Sequence, residues 1–471
     1  MSRSRVWFVV VLVAALAIGV LIGNRSSTSP SAAPPTALAA DIGSPGVNTV
    51  WFCPGLPPAV PAADTVVSFT NLDATSSAVA ITILADNAKP VHTTVPVGGL
   101  SVVTKKRSTL GPPGALTIET FGTRVVVEEG VDGRTGLELA SCATHTNTEW
   151  YFAAGTTLRG IQQWLMIEDP YAADAKVDVT IYTDDGARHP ERVQSLDIAR
   201  RSRVVIPIHD VAVLQGHVAV QVSARLGTVV ASQAIVFSSA AGTPGVAYSV
   251  GAPAASDQWL FADGTATAAT AAWVAVVNVG GSDTSLEIAA AASGKTVVPP
   301  ANVDLAADDV VWVKLGRCAP TDTECLAVPD GVRYALSVKS EERVAVVAQV
   351  LAHHGAGADR RGVTASFGAV SAQKSWVFAR SRVGGERSTQ LSFSNDLAAP
   401  ARVSVSLVHD GRTENPPKLQ NVAVPGGQRV TVTVPVSDDA GLLVEATSPV
   451  VVERSILGAS DTSRSVGIVA G

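Results

Sequence analysis

The side chains in this sequence that could do chemistry are few, and their spacing argues against an enzyme. His353 and His354 are adjacent at the head of the polar stretch HHGAGADRRG. Two imidazoles are half of a zinc site, but no third ligand follows nearby, so a solvated loop after a strand is the expectation. Carboxylate doublets stand at Glu128-Glu129, Asp184-Asp185 and Asp308-Asp309. Glycoside hydrolysis needs two carboxyl groups facing one substrate, whereas neighbours on a strand point to opposite faces. The doublets therefore read as structural or surface residues, and Asp184-Asp185-Gly186 as a turn. No Gly-x-Ser-x-Gly elbow, His-Glu-x-x-His helix, phosphate-binding loop or calcium loop occurs. The sequence thus assigns no catalytic residue, no metal ligand and no cofactor, and the expectation is a protein that is not an enzyme.

Charge gives a similar answer about partners. With 35 basic against 41 acidic residues the net charge is −6, and the closest basic cluster is Lys105, Lys106 and Arg107. Nucleic acid needs a basic stripe on a strongly positive domain, so the triplet reads as a solvated strand end. Arg380, Arg382, Glu386 and Arg387 lie on a glycine-containing stretch and read as a solvated loop, with an acidic glycan or lipid headgroup as the sharper alternative.

Four cysteines, Cys53, Cys142, Cys318 and Cys325, allow three pairings. A short bridge from Cys318 to Cys325 across AlaProThrAspThrGlu is the natural one, which leaves Cys53 to Cys142. Closing a loop of about 90 residues stabilises by about 4 kcal/mol in the chain-entropy model. Disulfides require an oxidising compartment. The N-terminus agrees: Val6 to Gly23 is an uncharged run behind Arg3 and Arg5, long enough for one membrane-spanning helix with the tail held in the cytoplasm. Ala37-Leu38-Ala39 offers a competing cleavage pattern, but it lies farther from the run than signal peptides favour. The expectation is a single-pass cell-membrane protein with an uncleaved anchor over residues 1–23, a Ser/Pro/Ala-rich tether over 24–48, and an extracytoplasmic body.

The body repeats. VWFCPG, WYFAAG, WLFADG and WVFARS place Trp51, Trp150, Trp259 and Trp376 at intervals of 99, 109 and 117 residues. Each is followed by a second strand running into a turn: VVSFTNL, WLMIEDP, WVAVVNV and LSFSNDL. An alternating strand comes next, then a segment broken by GlyGly or a charged doublet, then a closing pair such as GLLVEATSPVVVERSIL. Six or seven short strands per unit fit a two-layer sandwich of about 100 residues, and each unit is about twice a propeller blade. Units are expected at 49–147, 148–256, 257–373 and 374–471. Whether they run as a rod or close on one another is left open. Trp164 and Trp273 open second strands, and recurrence favours core anchors over sugar platforms for the repeating tryptophans.

The anchor, the W-[YFVL]-F-A-x-G openings, the WLxIxNP-like second strand and the S-x-PVVVER-like ending together resemble an uncharacterised family of secreted, membrane-anchored actinobacterial β-repeat proteins. Trp150 to Pro170 and Ser448 to Arg454 match best. The third unit departs at Val344 to Gln349, and the first carries Cys53 where the others are read as having Ala. The resemblance implies an envelope location and no chemistry. The sequence as a whole reads as all-β, with four tandem immunoglobulin-like β-sandwich units after one transmembrane helix. An envelope protein or glycan is the expected partner, with a glycan-processing protein or an accessory subunit of a membrane enzyme complex as alternatives.

Overall fold

Valine, isoleucine and leucine alternating with threonine, serine and charged residues put one face of a segment in a core and the other in water. In the computed structural model almost every such segment is a strand. Residues 40–42, 44, 46–86, 88–292, 296–358, 360–381, 387–435 and 439–470 are described. The apolar run at Val6 to Gly23, with Arg382 and Glu386, lies outside them. Among the described residues no helix is long and apolar enough to cross a membrane.

The first unit sets the plan. Its strands are β1 (Asp41–Ile42), β2 (Thr49–Cys53), β3 (Thr65–Asn71), β4 (Ser77–Ala85), β5 (Val91–Val97), β6 (Ser101–Lys106), β7 (Gly114–Thr120), β8 (Val125–Gly133) and β9 (Gly136–Ser141). One sheet has the order β2-β7-β4-β5 and a second the order β6-β3-β8-β9. Trp51 from β2, Phe69 from β3, Ile81 from β4 and Val127 from β8 meet in a core shared by both layers. The other units repeat this pairing, and in the fourth the counterparts of β7 and β8 fuse into one strand, Gly441–Leu457, that serves both sheets. The first unit has eight strands after β1, more than the sequence pattern suggests. Its weakly patterned strands, such as the largely exposed β5, explain the undercount.

The four units close into a ring. β9 packs beside Gly245–Val250, that strand beside Gly362–Phe367, that one beside Thr462–Val466, and the last returns to β9. Glycine permits the approach. A Cβ on Gly362 (φ 113°) would lie 3.0 Å from the backbone N of Thr462, and one on Gly136 (φ 147°) would lie 3.4 Å from that of Val246. The ends are joined as well. Asp41 and Ile42, inside the stretch read as tether, form β1 and pair in parallel with Val469 and Ala470.

Repeated sequence positions hold repeated bonds. Trp150, Trp259 and Trp376 are fully buried and donate their indole N–H groups to the carbonyls of Val229, Val346 and Val450 at 2.7, 2.8 and 2.8 Å. Asn71, Asn278 and Asn395 end the second strands and lock the turns that follow. Each side-chain amide donates to the carbonyl four residues on, at Thr75, Ser282 and Ala399. Each also donates across to Gly98, Leu305 or Val424. The second unit has Asp169 here, whose carboxylate accepts from the Tyr171 N–H at 2.9 Å but cannot donate. Its Oδ2 is buried without a partner, and burial pushes the carboxyl up to about 6, only partly offset by backbone N–H groups.

The position of Cys53 corrects the sequence reading. Phe52, Tyr151 and Leu260 make equivalent bridges to Ala143, Ala252 and Ala369, so Cys53 corresponds to Phe152 and Phe261, and by the same spacing to Phe378. It replaces phenylalanine, not alanine. In the other units that ring lies against a glycine: a Cβ on Gly251, Gly368 or Gly467 would come within 2.8, 3.0 and 3.1 Å of Phe152, Phe261 and Phe378 respectively. The first unit puts Cys142 at the glycine position, and a Cys53–Cys142 bond fills the space of the phenylalanine-on-glycine contact. Cys318 and Cys325 form the second disulfide.

Two outcomes follow. Replacing both Cys53 and Cys142 by alanine should cost about 2–5 kcal/mol in denaturant unfolding, whereas the Cys53→Phe, Cys142→Gly pair should recover much of that by restoring the repeat's own packing. Asp169→Asn should stabilise. Because the folded pKa of Asp169 is raised, its carboxylate penalises the fold only above the unfolded value near 4. The advantage of the variant should grow from pH 4 to 6 and then level at about 1–3 kcal/mol, and unfolding curves at pH 4 and 7 would check it.

Candidate functional site

Ionisable residues gather where the units meet, and their positions revise several sequence expectations. Glu128 and Glu129 occupy adjacent positions on β8 and are both buried, so each serves a different neighbour. Glu128 accepts two bonds from Arg454 of the fourth unit, at 2.7 and 3.1 Å. Glu129 accepts from the Tyr248 hydroxyl of the second unit, and burial raises its pKa. Lys105 and Lys106 are exposed, but Arg107 turns inward, buried, to bond the Gly114 carbonyl. Arg380 and Arg387 are not on a solvated loop: Arg380 is buried against Asp132 and Asp439, and Arg387 bridges Asp132 and Asp461. Asp184 and Asp185 sit at a turn and bind His217 and Arg188. Asp308 adopts the left-handed conformation of a turn (φ 57°).

The densest cluster joins the third and fourth units. Asp263 is paired with Arg360 at 2.8 Å and Arg429 at 3.0 Å, and accepts from the hydroxyls of Ser455 and Ser392. Burial works to raise its pKa, but Arg360, Arg429 and Arg464 outweigh it and hold the carboxyl well below the usual range. Glu453 takes a forked pair from Arg464 at 2.8 and 3.1 Å and also accepts from the Asp263 N–H at 2.6 Å. Arg464 places its guanidinium 5.9 Å from the Phe261 ring centroid, and Arg454 stands 5.0 Å from that of Phe378. Glu138 accepts from Ser463 at 2.8 Å, and burial raises its pKa well above the ordinary value. Such acids and bases resemble a catalytic constellation in composition only. No member exceeds 7% exposure, so a substrate has no access. Among the described residues no group of three or more His, Cys, Asp or Glu could hold a metal ion.

The histidine pair is also displaced from expectation. His353 and His354 end the strand Val346–His354 and do not begin a loop. His354 is buried beside Arg360 and Arg464, which with burial push its pKa down to about 3. His353, on the opposite face, has its pKa pushed down to about 4 by burial and meets Trp273 edge-on at 6.4 Å.

Trp273 opens onto a cleft of 530 Å³ between the second and third units. Its floor is the outer face of the third unit's sheet. Trp273 pairs with Lys314 on one side and Leu351 on the other, and Trp312 lies two residues from Lys314, so both indoles and Leu351 share one face. The second unit supplies the opposite wall with Thr156, Leu158, Ile161 and His217. His217 stacks on Trp312, centroids 4.7 Å apart at 20°, while its Nδ1 is held by Asp184 at 2.7 Å. The Cys318–Cys325 loop brings Asp322 to Lys314 at 2.9 Å and draws the ammonium aside. At the junction of the first two units Leu56 and Val60 pack on Met166 and Tyr248, beside a cleft of 1000 Å³ whose lining, unlike that of the Trp273 cleft, carries charge at Lys89, Asp197, Arg200 and Arg203. Sequence reasoning singled out Trp273 and His353 but missed Trp312 and His217, because nothing local joins a loop of one unit to a strand of the next.

Residues 91–437 match a family of unknown function, DUF5719. The chain belongs to that family. No curated protein is similar to it at a significant level. Among solved structures, a tetra-tandem repeat in the extending region of a large adhesion protein is similar at 13% identity, over 90% of this chain and 99% of that one, with a TM-score of 0.12.

Arg454→Met leaves Glu128 buried without its cation and should cost about 3–5 kcal/mol, while Glu128→Gln together with Arg454→Met should recover part of the loss. Thermal unfolding of the single and double variants measures the difference.

Proposed function

We propose that this protein is a non-enzymatic interaction module of a bacterial cell envelope, its body held outside the cytoplasm by the N-terminal apolar segment. The observation that carries the reading is the closed ring: four units lock together through buried strands and ion pairs, leaving loops and junction clefts as the surface on which a partner can act. Two disulfides, with no free cysteine among the described residues, favour an oxidising compartment. The buried acids and bases of the Asp263, Glu453 and Glu128 clusters are spent on holding the body together. An envelope protein or a glycan is the partner class.

The test is crosslinking and copurification of the intact protein from its native membrane, compared with a form lacking Met1–Thr36 that keeps β1 and hence the closed ring. A partner captured by both forms supports the interaction module. A partner captured by the intact form alone moves function to the anchor and favours an accessory subunit of a membrane complex.

A further inference from the structure

We infer that the cleft between the second and third units binds a neutral sugar ring of an oligosaccharide. The inference names a ligand for the interaction module and rests on that reading only for the idea that the protein binds rather than reacts.

Three features of the cleft select the ligand. The first is charge. Neither Lys, Arg, Asp nor Glu lines it, Lys314 is engaged with Asp322, the His217 ring is engaged with Asp184, and His353 is neutral at physiological pH because burial lowers its pKa to about 4. A charged ligand would lose its hydration there without gaining a counter-charge. The second is shape: Trp273 is partly exposed and forms an aromatic floor, and Trp312, diagonal to it on the same sheet face, is largely covered by His217. His217 against Trp312 and His353 against Trp273 fix the ring planes, so little side-chain entropy is lost on binding.

The third is polarity beside the aromatic surface. Thr243, Gly216, Gly242 and Gly355 lie in the lining and bring a hydroxyl-bearing residue and side-chain-free backbone to it. A pyranose presents an apolar C–H face to an indole and hydroxyls around its edge, which matches an aromatic floor with polar groups beside it. An acyl chain would fill the same volume but leave those polar groups unpaired. The cavity size falls in the usual range for small-ligand sites, roughly 300–1,000 Å³. By comparison, the cavity where the four inner strands meet is 60 Å³, too small for such a ligand.

Isothermal titration of the full chain tests this with neutral tetrasaccharides of glucose, mannose, galactose and N-acetylglucosamine, and in a second arm with neutral polysaccharide purified from the envelope. Palmitate and a sulfated tetrasaccharide serve as acyl and anionic competitors. Three variants accompany it: Trp273→Ala removes the exposed indole of the floor, Ala271→Glu introduces a carboxylate from an exposed lining position, and Trp164→Ala removes an indole that does not line the cleft. Thermal unfolding verifies that each variant folds. Saturable binding of a neutral sugar, weakened about tenfold or more by Trp273→Ala and by Ala271→Glu but unchanged by Trp164→Ala, is the expected result. Binding of the tetrasaccharide points to a free or terminal glycan, and binding of the polymer alone to an internal segment of a polysaccharide. The inference is overturned if no neutral saccharide binds at about 10 mM, if binding survives both cleft variants, or if palmitate or the sulfated sugar binds more tightly. A partner still captured in the crosslinking experiment would then leave the interaction module standing without this ligand.

Discussion

Every other feature of the body depends on the packing of one edge strand near the end of each unit against that of the next around a common centre. Such a strand is the edge of its own sheet, and an uncovered edge exposes a row of unpaired backbone groups. Here β9 and its three counterparts cover one another, with Gly136 and Gly362 allowing approach at a distance a side chain would block. The closure also decides the fate of the buried charges. Glu128 on the first unit and Arg454 on the fourth are both inside the protein, and each is tolerable there only because the other is present. An open chain of four units would leave both unpaired.

The four junctions are not copies. Between the first and second units Leu56 and Val60 pack on Met166 and Tyr248, and Arg203 reaches across to Asp86 at 2.7 Å and to the carbonyls of Pro54 and Leu56. Between the second and third, Gln349 accepts from the Ala154 N–H at 3.0 Å and donates to Ser249 at 3.2 Å, in a junction without buried ion pairs of its own among the described residues. Charge dominates the other two, through Asp263 with its arginines and Glu128 with Arg454. One position illustrates the divergence. The third residue after the carbonyl that receives the tryptophan N–H is Ser232, Gln349 or Glu453 in the later units, and its counterpart in the first is Glu128. The repeat fixes where a junction residue stands, and the residue type fixes how the neighbour is held.

This division of labour leaves the junction of the second and third units with an uncharged cleft. Buried ion pairs and disulfides hold the frame, and Trp273 stands partly exposed in the cleft beside the His217–Trp312 stack. Rigid walls suit recognition, because a site whose rings are already placed loses less freedom on binding.

Much of the architecture was legible in the sequence because strand alternation, turn residues and repeated tryptophans are local signals. The all-β class, the four-fold recurrence and the burial of Trp51, Trp150, Trp259 and Trp376 are of this kind. So were the asparagines of the TNL, VNV and SND turns, whose side chains bond the backbone within their own unit. The alignment of Cys53 was not legible, since a cysteine bears no likeness to the phenylalanine it replaces until the glycine opposite is seen. Nor was the burial of Arg380, Arg387 and His354, because a charged residue in a polar stretch looks solvated unless its partner is known. Those partners, Asp132, Asp461 and the Asp263 cluster, come from other units or from distant strands. The sequence by itself determined what each unit is, through short-range periodicity and local hydrogen bonds. Only the tertiary structure decided that the units close into a ring and that Trp312 meets His217, because contacts between units depend on where whole domains stand and leave no period in the chain.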